Sequence, residues 1–173
     1  VSGPNHTRRT AISHAIERRL RREAGYRYIL MGLIAASVLA LDQLTKVIVR
    51  ATIPVGDTID VLPGIQLVDT VNTGIAFGLF PGRQAMVSVV TLVAIGAIAV
   101  LLVGFAGRHA LVPIGGGLLL GGSVGNLIDR AFRDGVTDFI AIGPWPPFNV
   151  ADIGVTAGAI LLVTALVLSG GDG

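Results

Sequence analysis

The chain contains no cysteine, which excludes disulfides and any cysteine-ligated metal or iron–sulfur centre. Its three histidines, His6, His14 and His109, are scattered. No His-Glu-x-x-His pair and no phosphate-binding loop occurs. Charge is scarce as well. Asp, Glu, Lys and Arg make up 14% of the 173 residues, where a soluble domain carries about 25%. What fills the space is apolar: 52% of residues are hydrophobic and the mean hydropathy is +0.76. That composition describes a membrane protein.

The few charges are unevenly placed. Residues 1–27 hold seven arginines against two glutamates, a balance of +5, while the remainder holds six Lys or Arg against nine Asp, a balance of −3. A basic arm ahead of a membrane segment reads as a cytoplasmic arm that fixes topology and touches anionic lipid, not as a nucleic-acid ligand. Within it, Ala11–Tyr26 reads as an amphipathic surface helix, with Ile12, Ile16 and Leu20 recurring among Arg18, Arg19, Arg21 and Arg22.

Four apolar stretches are long enough to cross a hydrocarbon core, which takes ~20 helical residues. They run about Tyr28–Val49, Gln84–Ala106, Ala110–Ile128 and Asn149–Ser169. The first is too long for a signal-peptide core and lacks a clear small-residue cleavage site. Arginine placement puts the amino arm and the Gly107-Arg108-His109 turn in the cytoplasm, so both termini are expected inside. Loops 50–83 and 129–148 then face outward, although they carry Arg50, Arg83, Arg130 and Arg133. The first of them is rich in Val, Ile and Thr, with Gly56, Pro63-Gly64 and Gly74 as turn signals, and predicts a small sheet on the membrane face. Its tip, 74–80, is apolar enough to dip into lipid. The spacings Gly121-x-x-x-Gly125 and Gly154-x-x-x-Gly158 permit close helix contact.

Carboxylates near a bilayer are costly to keep, so each one asks for a reason. Asp138 and Asp152 flank the loop Pro144-Trp145-Pro146-Pro147-Phe148 at the expected outer face. Two like charges in one site push a pKa upward and can share a proton, which suits acid–base hydrolysis. Asp138 lies in an apolar extended run where a turn role is a poor fit. Asp152 falls in the first turn of a span, where the helix dipole alone would suit it. Asn126 and Asp129 stand at i and i+3, and Asn149 and Asp152 repeat that spacing, aiming an amide and a carboxylate together. Asn149 is also a natural helix cap, a role that does not by itself call for Asp152. Asp42 and Lys46, at i and i+4, either neutralise each other or orient a site on neighbouring helices. Arg130 beside Asp129, and Arg133 beside Asp134, read as ordinary ion pairs. Ser123 has no histidine near it in sequence, and its mid-span position argues against Lys46 as its base.

Four ordered blocks carry a resemblance. They are Leu41-Asp42-Gln43-Leu44-Thr45-Lys46; Asn72-Thr73-Gly74-Ile75-Ala76-Phe77; the run Gly121 to Arg130 with Gly135-Val136-Thr137-Asp138-Phe139-Ile140; and Phe148-Asn149-Val150-Ala151-Asp152. From about Tyr28 to Leu168 the chain resembles lipoprotein signal peptidase, or signal peptidase II, a family of bacterial membrane aspartyl proteases. The resemblance implies a catalytic dyad of Asp138 and Asp152. It implies supporting or substrate-binding roles for Asp42, Lys46, Asn72, Gly74, Asn126, Asp129, Arg130 and Asn149. Asp129, at the same face, is the rival for a dyad position and is placed in the supporting shell. Thr137 departs from the family's usual valine, the loop 140–148 is short, and the arginine-rich arm is long.

The expected fold is therefore an all-α membrane protein of four transmembrane helices with a small extracytoplasmic β-sheet cradle and an amino-terminal amphipathic helix. The expected parts are a basic arm over 1–27, a peptidase domain over 28–169 with its cradle at about 50–83, and a cytoplasmic tail over 170–173. The resemblance implies a diacylglyceryl-modified prolipoprotein as substrate, cut before the lipid-bearing cysteine in the bacterial cytoplasmic membrane. It calls for no cofactor, no metal, no nucleic acid and no oligomer. Two other classes fit intramembrane carboxylates: a small proton-coupled transporter, which favours acidic residues spread through the membrane depth, and a non-catalytic assembly subunit, in which both aspartates are dispensable.

Overall fold

The computed structural model describes residues 4–73, 109–133 and 135–170, together with Val89, Leu92, Val93, Gly96 and Ile98. The first element is one unbroken helix, α1, Pro4–Thr52. Proline is well placed in a first turn, where its missing N–H costs nothing. The helix ends just before Ile53-Pro54, because a residue preceding proline is pushed out of helical backbone. At 1.5 Å per residue α1 is about 74 Å long, more than twice the ~30 Å of a hydrocarbon core. The separate amphipathic helix expected over Ala11–Tyr26 is thus continuous with the first span. Nothing between Tyr26 and Tyr28 breaks the backbone, and Gly25 and Gly32 are simply carried within the helix.

Two further helices follow, α2, Leu111–Phe132, and α3, Val150–Gly170. Both begin a residue later than expected, and α2 runs four residues past Ile128. Among the described residues, three helices, Arg22–Thr52, Leu111–Phe132 and Val150–Ser169, are long and apolar enough to cross a membrane. Their outer faces fit a lipid solvent: Leu33, Leu44, Val163 and Leu166 are all exposed. Most of the second expected stretch, Gln84–Ala106, lies outside the described residues, as do the apolar tip 74–80 with Gly74, Asp134, and 171–173. The described positions Val89, Leu92, Val93, Gly96 and Ile98 are helical, and Ile98 packs against the cluster of Val112 and Ala165.

Glycine lets these helices touch backbone to backbone. A Cβ on Gly121 would stand 2.5 Å from the Ala35 carbonyl oxygen, so α2 rests directly on α1. One on Gly158 would stand 2.6 Å from the Gly115 carbonyl oxygen, so α3 does the same on α2.

The sheet is larger than loop 50–83 alone predicts. Four antiparallel strands run in the order β1-β2-β3-β4, being Thr58–Leu62, Ile65–Asn72, Val136–Ile142 and Trp145–Phe148. The first pair comes from loop 50–83 and the second pair from loop 129–148. Gly64 (φ 77°) and Gly143 (φ 51°) make the two hairpin turns, and the Gly143 N–H donates to the Gly64 carbonyl at 2.9 Å. Pairing of β2 with β3 sets Thr70 opposite Asp138 and Asn72 opposite Val136. Val136, Thr137, Asp138 and Phe139 are all buried, so β3 is covered on both faces and lacks the alternation that marks a half-exposed strand. Beneath the sheet, Val49, Ile53 and Phe139 form a core where the end of α1 meets β3 and the start of α3.

Candidate functional site

The start of α3 sets the geometry. The Asn149 side-chain oxygen accepts the Asp152 N–H at 2.9 Å, and Asp152 Oδ2 accepts the Asn149 N–H at 3.1 Å. This reciprocal capping box satisfies two donors of the first turn. Asn149 caps the helix, and Asp152, which that role does not by itself call for, joins it: one of its oxygens belongs to the cap. The other, Oδ1, accepts from Asn126 Nδ2 at 2.8 Å.

The cap also aims Asn149. Because its oxygen is claimed by a backbone N–H, its amide nitrogen must face the other way. There it donates to Asp138 Oδ1 at 2.7 Å, and also to Asn126 Oδ1 and the Thr137 carbonyl. Asn72 Nδ2, reaching across from β2, donates to Asp138 Oδ2 at 3.0 Å. Thr70 Oγ1 donates to the Asp138 carbonyl at 2.9 Å. Burial pushes the Asp138 carboxyl up from its ordinary 3.8 to about 6; the Asn72 hydrogen bond opposes this and the Asp152 charge adds to it.

Lys46 does for Asn126 what the cap does for Asn149. Its ammonium can only donate, so the Asn126 oxygen faces it at 3.0 Å and the Asn126 nitrogen is left for Asp152. Lys46 is fully buried and also contacts Asp42 Oδ2 at 2.9 Å and Asp129 Oδ2 at 3.1 Å. Asp42 and Lys46 thus neutralise each other and orient the site as well. Asp42 Oδ1 accepts the Ala151 N–H at 2.9 Å, tying α1 to the first turn of α3. Asp129 Oδ2 accepts the Thr137 N–H at 3.1 Å, tying α2 to β3.

Asp138, Asp152, Asn72, Asn126 and Arg130 line one cavity of about 730 Å3, with β4 side chains Trp145 to Phe148 and Val155 supplying apolar wall. Arg130 is half-buried there. Asp42, Lys46, Asp129 and Asn149 do not line it and stand behind it. Every described site residue expected from the sequence belongs to this assembly. Ser123 does not: it sits inside α2, where the glycines at 121, 122 and 125 serve helix packing and not a nucleophile's turn. Sequence reasoning missed Arg50, Thr70 and Gln43. Gln43 Nε2 donates to Asp42 Oδ2 and to the Gly125 carbonyl, each at 3.1 Å. Arg50 registers in the sequence only as an outer-loop charge, and Thr70 only as one β-former among several. The expected partner of Arg133, Asp134, lies outside the described residues; Arg133 Nε stands 3.9 Å from Asp129 Oδ1.

A buried acid and a half-buried one, joined by amides in a partly apolar cavity, can exchange a proton with a water and a carbonyl. Known proteins share this chain's pattern. The family described as signal peptidase (SPase) II matches residues 34–168. The lipoprotein signal peptidase of Shouchella clausii (strain KSM-K16) is 38% identical over 140 residues, covering 80% of this chain and 93% of that one. The lipoprotein signal peptidase of Rhodococcus jostii (strain RHA1) is 41% identical over 150 residues, covering 82% and 74%. A solved structure described as a bacterial membrane enzyme, determined by the in meso method at 2.3 Å, matches with a TM-score of 0.76 at 32% identity, covering 81% of this chain and 88% of that one. This chain belongs to the signal peptidase II family.

Proposed function

We propose that this protein is a signal peptidase II type aspartic endopeptidase that removes the signal peptide from lipid-modified prolipoproteins, with Asp138 and Asp152 as its dyad. One observation carries the assignment of the dyad. Two carboxylates open on the same cavity, and each is held by an amide whose orientation is fixed elsewhere, by the α3 cap and by Lys46.

Asp138 is the more deeply buried of the pair and holds its proton to about pH 6, which suits it to carry the shared proton. Asp152, half-buried, takes a proton from a water in the cavity. That water attacks the scissile carbonyl while Asp138 hydrogen-bonds its oxygen. Collapse of the tetrahedral intermediate reverses the roles, and Asp152 returns its proton to the leaving nitrogen. Two carboxylates and one water balance the reaction. Arg130, beside both acids, and the apolar wall of β4 then contact substrate.

The sheet and the dyad sit at the outer face of the cytoplasmic membrane, with both termini inside, as the arginine distribution supports. That placement keeps a diacylglyceryl group in lipid while its peptide bond meets water, each buried methylene contributing about 0.8 kcal/mol to binding. The test is cleavage of a purified diacylglyceryl-modified precursor by wild type, Asp138→Asn and Asp152→Asn. Both variants are expected to insert and to lose activity. Near-normal cleavage by either one removes that residue from the dyad.

A further inference from the structure

Behind Asp138 lies a contact that neither the cavity nor the family motifs account for. Arg50, in the last turn of α1, donates from Nη1 to Thr137 Oγ1 at 2.9 Å. Thr137 is 2% exposed and held at every polar atom. Its N–H goes to Asp129 Oδ2, its carbonyl accepts from Asn149, and its hydroxyl accepts from Arg50. Successive strand residues point to opposite faces, so Thr137 is gripped from behind while Asp138 faces the cavity. Arg50 does not line that cavity. Its second nitrogen, Nη2, and Asp129 Oδ1 are buried without hydrogen bonds, and Nη1 lies 3.9 Å from that oxygen. Burying Nη2 without a partner has a cost, and the bond that Nη1 makes to the Thr137 hydroxyl is the hydrogen bond the guanidinium gains there.

We propose that Arg50 and Thr137 are positioning residues: together they latch β3 to the end of α1 and set where the Asp138 carboxylate stands in the cavity. The proposal rests on Asp138 being a dyad member. Neither residue touches substrate, so the latch governs turnover and leaves substrate binding nearly untouched.

The experiment compares full-length wild type, Asp138→Asn, Thr137→Val, Thr137→Ser and the double variant Arg50→Met with Thr137→Val, in detergent micelles, on a diacylglyceryl-modified precursor. Thr137→Val, isosteric but without the acceptor, is expected to lower kcat about tenfold with KM within about twofold, short of the ~10²-fold that a 1 Å misplacement can cost. Thr137→Ser, which restores the hydroxyl, recovers most of kcat. The double variant removes the orphaned donor along with the acceptor, so its thermal midpoint rises back toward wild type while kcat stays low. Two results overturn the latch: equal kcat for Thr137→Val and Thr137→Ser, or a double variant whose kcat returns along with its stability. Failure of the underlying assignment looks different, because then Asp138→Asn cleaves as well as wild type.

Discussion

Replacing Lys46 by methionine perturbs a cation that serves three acceptors at once. Its three donors meet Asp42 Oδ2 at 2.9 Å, Asn126 Oδ1 at 3.0 Å and Asp129 Oδ2 at 3.1 Å, all in a fully buried setting. Methionine keeps most of the volume and removes the charge, leaving two buried carboxylates without it. Removing one partner of a buried pair costs about 3–5 kcal/mol, which for a chain of this length corresponds to a fall of roughly 6–20 °C in the thermal midpoint. A companion variant separates charge from shape. Asp42→Asn and Asp129→Asn added to Lys46→Met remove both carboxylate charges that Lys46 offset, giving up only the longer 3.9 Å contacts of Arg50 and Arg133 with Asp129, and each asparagine keeps an oxygen for the Ala151 or Thr137 N–H. This triple variant is expected to regain at least half of the lost stability. It is not expected to regain full activity, because Asn126 then keeps only the Asn149 amide on its oxygen and has lost the ammonium that turned its nitrogen toward Asp152. Thermal unfolding in micelles can be followed through Trp145, the only tryptophan and a neighbour of the site. A Lys46→Met midpoint within about 2 °C of wild type, or a triple variant as unstable as the single one, refutes the reasoning.

Titration of Asp138 should be visible in stability. Its carboxyl is raised from 3.8 to about 6 in the folded protein, so between those values the folded state binds more protons than the unfolded one. Its contribution is fully present below about pH 3.8 and is lost as pH rises through about 6, by about 3 kcal/mol. The wild-type curve of unfolding free energy, less that of Asp138→Asn, is expected to fall across that window and then level; a flat difference contradicts the burial argument. At Asn149, serine keeps a capping oxygen but not the donor to Asp138, and alanine keeps neither. Both are expected to lose cleavage by ~10- to 150-fold, the equivalent of a charged hydrogen bond of about 1.5–3 kcal/mol, with alanine alone costing a further ~1 kcal/mol of unfolding stability. Gly121→Val presses on the Ala35 carbonyl and should destabilise by about 1–3 kcal/mol. Gly32→Ala, with nothing within 4 Å, should be neutral or stabilising by up to ~1 kcal/mol; equal effects at the two positions would contradict the described packing of α1 on α2.

Much of this was legible in the chain because the bilayer writes in large letters. Long apolar runs gave the helices, and the arginine imbalance gave an orientation to propose. Carboxylates are so costly near lipid that Asp42, Asp129, Asp138 and Asp152 drew attention at once. The Asn-x-x-Asp repeats at 126–129 and 149–152 are local, and a helix turns them into paired groups by its own periodicity. The boundary of α1 was harder, because a basic arm and an apolar span can share one helix without any residue that stops it.

What the sequence determined by itself was the membrane class, the polar residues that matter and the block pattern that carries the family. Which residue holds which follows from the packing of the elements. Lys46 reaches Asn126 across 80 positions and Asp42 reaches Ala151 across 109, and no local rule encodes contacts at that range. The sheet drew two strands from each of the loops 50–83 and 129–148, and β3, buried along its first four residues, carried no alternation to announce a partner. Asp152 proved to be half cap and half site, and Arg50 and Thr137 emerged only when the end of α1 was seen against the back of β3. Spacing along a chain shows which residues share a face of one element, while amide orientation and long-range charge pairing follow from how the elements pack.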